Sequence, residues 1–166
     1  MTIRHILVPT DFSSHADAAL RCAIELAKPF GAFITLLHVV EDPLAAGMWS
    51  SEVYTAEIAG LQINLAKDAK ERLRRTAAEA GASVRIGYEV HTGRAAPTIV
   101  ATAEEAPADL IVMGTAGRSG LAHAVMGSVA ERVVRTAPCP VLTVRDTALR
   151  GNSRTMREIP QSATPA

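Results

Sequence analysis

Residues 109–145 restrict the fold of this chain more than any other stretch. They read DLIVMGTAGRSGLAHAVMGSVAERVVRTAPCPVLTVR. Residues 110–113 are a short apolar run bounded by Asp109 and Gly114, the pattern of a buried strand. Glycines follow at 114, 117, 120 and 127. Ser128 comes next, with Glu131 three residues on and Val133 and Val134 behind it. That spacing reads as a capping box and marks a helix start. A strand thus runs through a glycine loop into a helix N-terminus. Such a loop suits a phosphate, because glycine lets the backbone approach an anion. The unpaired N–H groups and the dipole of a helix start also favour negative charge. A plainer reading is open too: the glycines make turns, and Ser128 caps its own helix. Familiar loop patterns do not match. There is no G-x-x-x-x-G-K-[ST] and no G-x-G-x-x-G, and Gly117-Arg118-Ser119-Gly120 is one residue short of G-x-S-x-G.

The preceding sequence repeats the strand-then-helix pattern. A first strand over 3–8 ends at Pro9, and Ser13 or Ser14 can cap a helix reaching about Ala27. Leu20, Ala23, Ile24 and Ala27 share one face of it, and Pro29 and Gly31 stop it. Residues 32–40 are almost continuously apolar, as a central strand should be. Residues 41–55 are irregular, with Pro43, Gly47, Trp49 and Tyr54, and read either as a lid or as a surface insertion. A long helix is expected over 56–80. Ile58, Leu61, Leu65, Ala69 and Leu73 form its apolar stripe, Lys67, Lys70, Glu71, Arg72 and Arg74 its solvated face, and Gly81 its end. Residues 84–90 alternate apolar and polar, which predicts a strand near a sheet edge. A helix begins within 93–97, carries Ile99, Val100 and Ala103, and stops before Pro107. Pro138 and Pro140 precede a fifth strand, Val141–Val144.

Five strands alternating with four helices predict one α/β domain with a parallel sheet over 1–145. Residues 146–166 are small or polar with no apolar period, and read as a tail without order of its own.

Composition narrows the function. The formal net charge is zero, so no electrostatic argument favours nucleic acid or an anionic membrane. No apolar run approaches the ~18 residues of a membrane span, and no signal-peptide pattern is visible. Cys22 and Cys139 make no disulfide framework, so a cytoplasmic location is expected. The five histidines lack metal-ligand spacing.

The glycine spacing, Gly114-x-x-Gly117, nine residues, then Gly127-Ser128, resembles the ATP-binding signature of the universal stress protein family. Further marks are Val8-Pro9-Thr10-Asp11-Phe12-Ser13, Leu37-His38-Val39 and Ala137-Pro138-Cys139-Pro140-Val141-Leu142, and the likeness covers about residues 2–145. It implies an open five-stranded parallel sheet of order 3-2-1-4-5 with helices on both faces, a Rossmann-like fold of the adenine nucleotide alpha hydrolase-like kind. Strands 1 and 4 are then neighbours where the order reverses, the place where such sheets bind ligands. The implied ligand is ATP, with Mg²⁺. Asp11 would contact the ribose or take part in holding the metal and phosphates. Pro9 and Thr10 would shape the adenine and ribose side, the Val39 backbone would meet the adenine, and Met113 would pack on the nucleotide. Gly114, Gly117 and Gly127, with the N–H groups of Ser128 and Val129, would cradle the phosphates. The Ser128 hydroxyl would add a donor and Arg118 a charge.

No Walker lysine and no evident base accompany the loop, so no catalytic residue is assigned. The expectation is a nucleotide-binding sensor or regulator of the stress response with at most slow ATP hydrolysis. A true ATPase or phosphotransferase, and a dimeric interaction module with an empty site, are the alternatives. A homodimer is expected through Val141–Val144, an apolar strand at the sheet edge in the implied order.

Overall fold

The structure is a computed structural model. It describes residues 2–42, 56–80, 84–115 and 126–145, the side chains of 56–59 excepted. The elements run β1 (His5–Pro9), α1 (Ser14–Phe30), β2 (Phe33–Glu41), α2 (Ala56–Glu79), β3 (Ile86–Gly93), α3 (Ala95–Glu105), β4 (Leu110–Gly114), α4 (Ser128–Thr136) and β5 (Val141–Val144). All five strands are parallel, in the order β3-β2-β1-β4-β5. This is the expected open Rossmann-like sheet. Of the stretch 41–55, read as a lid or a surface insertion, residues 43–55 lie outside the described residues, as do Gly81 and the tail at 146–166.

The inner strands are apolar on both faces because both faces are covered. On one face Ile6, Val8, Ile34, Leu36 and Val112 pack with Ala19, Ala23 and Ala27 of α1 and Leu73 of α2. On the other, Leu7, Leu37, Ile111 and Met113 pack with Ile99 and Ala103 of α3 and Ala130 and Val133 of α4. Each fully buried large aliphatic contributes roughly 1.5–3 kcal/mol. The alanine row of α1 lets that helix sit close to the sheet.

The ends of α1 follow local chemistry. The N–H of Ala16 donates to Ser13 Oγ at 3.3 Å, so Ser13 is the cap. At the far end Gly31 adopts φ 62, and the N–H of Ala32 reaches back to the carbonyl of Ala27 at 3.0 Å. Pro29 lies inside the helix, so Gly31 alone ends it.

Three elements depart from expectation. β3 runs over Ile86–Gly93 rather than 84–90, because its register with β2 continues to Glu41↔Gly93. Pairing with a long neighbour carries polar His91 and Thr92 into the strand. Among the described side chains of the α2 stripe, Ala69 and Leu73 are buried, while Leu61 and Leu65 remain 58% and 47% exposed. Finally, α4 begins at Ser128 as expected, but its cap is Gly127 and no side chain caps it. Ser128 is already helical, so the capping-box reading is corrected by one residue.

At the amino ends of β1 and β4, Asp109 Oδ2 accepts the N–H groups of Arg4 at 2.8 Å and His5 at 3.0 Å. Those two N–H groups, Arg4 first, hold the Asp109 carboxyl below the usual carboxylate range. At the edge, the N–H of Ile111 donates to Pro140 and that of Thr115 to Val144. The backbone of Leu142 therefore also faces β4, while Val141 and Thr143 turn theirs outward.

Candidate functional site

A crevice forms where neighbouring β1 and β4 send their chains to opposite faces of the sheet, β1 into α1 and β4 toward α4. Its volume is about 1030 Å³, at the upper end of the roughly 300–1,000 Å³ common for ligand sites. Pro9, Thr10, Asp11, Val39, Met113, Gly114, Gly127, Ser128 and Val129 all line it. Gly117 and Arg118 lie outside the described residues.

Strand register explains Val39. β1 pairs with β2 as far as Pro9↔Leu37, and the Thr10 N–H closes the ladder on the Leu37 carbonyl at 2.8 Å. β2 continues to Glu41. Backbone direction alternates along a strand, so Val39 turns its N–H and C=O to the same side as Leu37. No β1 residue lies opposite it in the register. An adenine edge needs such a neighbouring donor and acceptor.

Asp11 has two roles. Its Oδ1 accepts the Ser13 N–H at 3.1 Å and the Ser13 hydroxyl at 2.6 Å. The carboxylate thus braces the cap of α1 while lining the crevice, and as an acceptor it suits sugar hydroxyls.

Across the crevice stands the start of α4. The Gly127 N–H donates to the Thr115 carbonyl at 2.8 Å, and the first helical bond runs from the Glu131 N–H to the Gly127 carbonyl at 2.9 Å. The N–H groups of Ser128, Val129 and Ala130 therefore have no carbonyl within the helix. Ser128 and Val129 were expected here; Ala130 also lines the crevice and adds a third donor. Gly127 has φ −64 and ψ 151, a conformation open to any residue, so its backbone does not demand glycine. Gly114 differs. A Cβ there would stand 3.0 Å from His15 backbone atoms, so the start of α1 itself favours glycine at that position.

Sequence reasoning missed a stacked column on the β2 side. Phe12 adopts φ 63, which costs a residue with a side chain roughly 1–2 kcal/mol. Its ring contacts His38, with centroids 4.6 Å apart, and Arg72, whose guanidinium carbon is 3.9 Å from the ring centroid. His38 Nδ1 lies 2.8 Å from the Thr10 carbonyl, so Nδ1 carries the proton and donates. Arg72 and Arg75 both reach the crevice. Helical periodicity put Arg72 on a solvated face, and a phenylalanine in the left-handed region leaves no sequence signal.

Comparison with known proteins agrees with this geometry. The model of the Universal stress protein family matches residues 2–145. The chain is 39% identical over 149 residues to a universal stress protein of Methanocaldococcus jannaschii, covering 86% of this chain and 82% of that protein. The solved structure of universal stress protein UspA from Lactobacillus plantarum superposes with a TM-score of 0.73 at 30% identity, over 87% of this chain and 99% of that one. A universal stress protein from Archaeoglobus fulgidus, solved in complex with dAMP, shares the fold at 24% identity and a TM-score of 0.61, over 87% of this chain and 99% of that one.

Proposed function

The chain belongs to the universal stress protein family, and from that premise we propose that it binds ATP in the crevice and acts as a nucleotide-dependent regulator of the stress response. One observation carries the reading: Asp11, Val39 and the first-turn residues Ser128, Val129 and Ala130 of α4, whose N–H groups have no partner within the helix, line a single cavity. These are the partners that ribose, adenine and phosphates respectively require. Pro9, Thr10 and Met113 pack against the base and sugar, and the Ser128 hydroxyl adds a donor. Gly117 and Arg118, carried by the glycine signature, complete the phosphate loop.

Among the described residues no three His, Cys, Asp or Glu side chains form a metal-holding group. Mg²⁺ would therefore arrive with the phosphates, with Asp11 as the carboxylate offered to it, a coordination typical of that cation. Its contribution is to offset phosphate charge. The bare edge of β5 favours a homodimer, and among the described residues no helix is long and apolar enough to cross a membrane. We place the protein in the cytoplasm.

Denaturing freshly purified protein and identifying the released small molecule tests the reading. Adenine nucleotide is expected. A preparation that neither carries nor takes up ATP would favour the interaction-module alternative. Multiple-turnover phosphate release should be slow, since the sequence has no Walker lysine. Turnover approaching the roughly 10 s⁻¹ typical of enzymes would favour a phosphotransferase instead.

A further inference from the structure

The turn from β1 into α1 carries Asp11 in a conformation that its own sequence disfavours. Among the described residues, Phe12 is the non-glycine residue at positive φ, 63°. Such an outlier persists only where its surroundings over-determine it, and outliers of this kind cluster at ligand sites. The surroundings here are hydrogen bonds on every residue of the turn. The Thr10 N–H closes on the Leu37 carbonyl, the Phe12 N–H donates to Thr10 Oγ1 at 3.0 Å, and Ser13 donates twice to Asp11 Oδ1.

His38 grips the same turn from β2. Its Nδ1–H donates to the Thr10 carbonyl at 2.8 Å, and its ring packs on that of Phe12. One side chain thus holds the residues on either side of Asp11, Thr10 by its carbonyl and Phe12 by its ring. Arg72 adds a second contact to the Phe12 ring from α2. His38 is 9% exposed and shares the face of β2 on which Leu36 packs against α1. Burying an imidazole there carries a desolvation cost that a leucine would not. Of the buried polar side chains among the described residues, Thr35 and Thr102 lie away from the crevice, whereas His38 lines it.

We propose that His38 is a positioning residue of the nucleotide site. Through Thr10 and Phe12 it holds the Asp11 carboxylate where the ribose hydroxyls arrive, and so sets the preference for a nucleotide that carries them. The inference rests on the nucleotide reading above and deepens it. His38 acts through the turn, so its loss is felt at the hydroxyls that Asp11 accepts. Adenine and phosphates, which meet Val39 and the start of α4, keep their contacts.

The test is the affinity of the full chain for ATP and for 2′,3′-dideoxy-ATP, which lacks both ribose hydroxyls. Wild type should prefer ATP by about tenfold or more, and Asp11→Ala should bring that ratio near one. His38→Leu should lower the ratio toward that of Asp11→Ala, while its affinity for the dideoxy nucleotide stays at the wild-type value and reports an intact fold. Adding His38→Leu to Asp11→Ala should lower the ratio no further, because the two residues act as one unit. His38→Asn, whose amide N–H stands near the place of Nδ1–H, should restore part of the ratio. Phe12→Gly removes the ring at a φ that glycine adopts freely, and should also lower the ratio. An unchanged ratio in either His38→Leu or Phe12→Gly would overturn the proposal. So would an equal loss for both nucleotides in His38→Leu, or a wild type indifferent to the hydroxyls; each of these leaves nucleotide binding intact. Failure of wild type to bind either nucleotide would overturn both readings.

Discussion

The N–H of Gly127 donates to the carbonyl of Thr115 at 2.8 Å. This bond ties the two ends of the glycine segment together. It anchors the start of α4 to the residue after β4, so Ser128, Val129 and Ala130 line the same crevice as Asp11. This tertiary closure fixes that placement.

Replacing Gly127 with Val follows from this. The backbone at Gly127 is extended and tolerates a branched residue. Folding should therefore persist, by circular dichroism, while the new side chain blocks the approach of phosphate. ATP affinity should fall by about tenfold or more. Wild-type affinity in Gly127→Val would move the phosphates elsewhere.

Asp109 gives a prediction about pH. Its carboxyl is held below the usual range by the Arg4 and His5 N–H groups. Such a group stabilises the fold above its ordinary pKa of about 3.9 and ceases to do so as the pH falls through the lower native value. In urea unfolding at pH 7, Asp109→Asn should cost up to about 1 kcal/mol. In strong acid, where wild type is protonated too, the gap should close. A gap of the same size in both conditions would contradict this.

Much of this was legible before any coordinates. Continuous apolar runs located β1, β2 and β4, because burial on both faces demands them, and the glycine spacing with the Val8-Pro9-Thr10-Asp11 run located the β1 and β4 sides of the crevice. What escaped was set by long-range contact. The length of β3 depends on the reach of β2. The cap of α4 shifted to Gly127 because the Thr115 carbonyl fixes that backbone. Gly114 reads as a phosphate glycine, and its close approach to the His15 backbone is a second reason for glycine there. Phe12 and Arg72 meet across 60 residues of sequence, and no local pattern records their stacking.

The edge of the sheet predicts a dimer. Leu142 on β5 is 37% exposed and Val134 on α4 is 45% exposed. Pairing of β5 with its copy about a two-fold axis would cover the outward backbone of Val141 and Thr143. Light scattering at roughly tens of micromolar should give the mass of two chains. Thr143→Pro removes an outward N–H and should shift the mass toward one chain. Leu142→Pro would instead break the ladder to β4, since the Leu142 backbone faces inward. A wild-type mass of one chain would contradict the dimer.

Titration calorimetry of the purified, nucleotide-free chain with ATP and Mg²⁺ tests the central claim most directly. Saturable heat with about one ATP per chain is the predicted result, since one crevice brings Asp11, Val39 and the start of α4 together. No binding up to roughly millimolar ATP, a standard free energy weaker than about −4 kcal/mol, would contradict it.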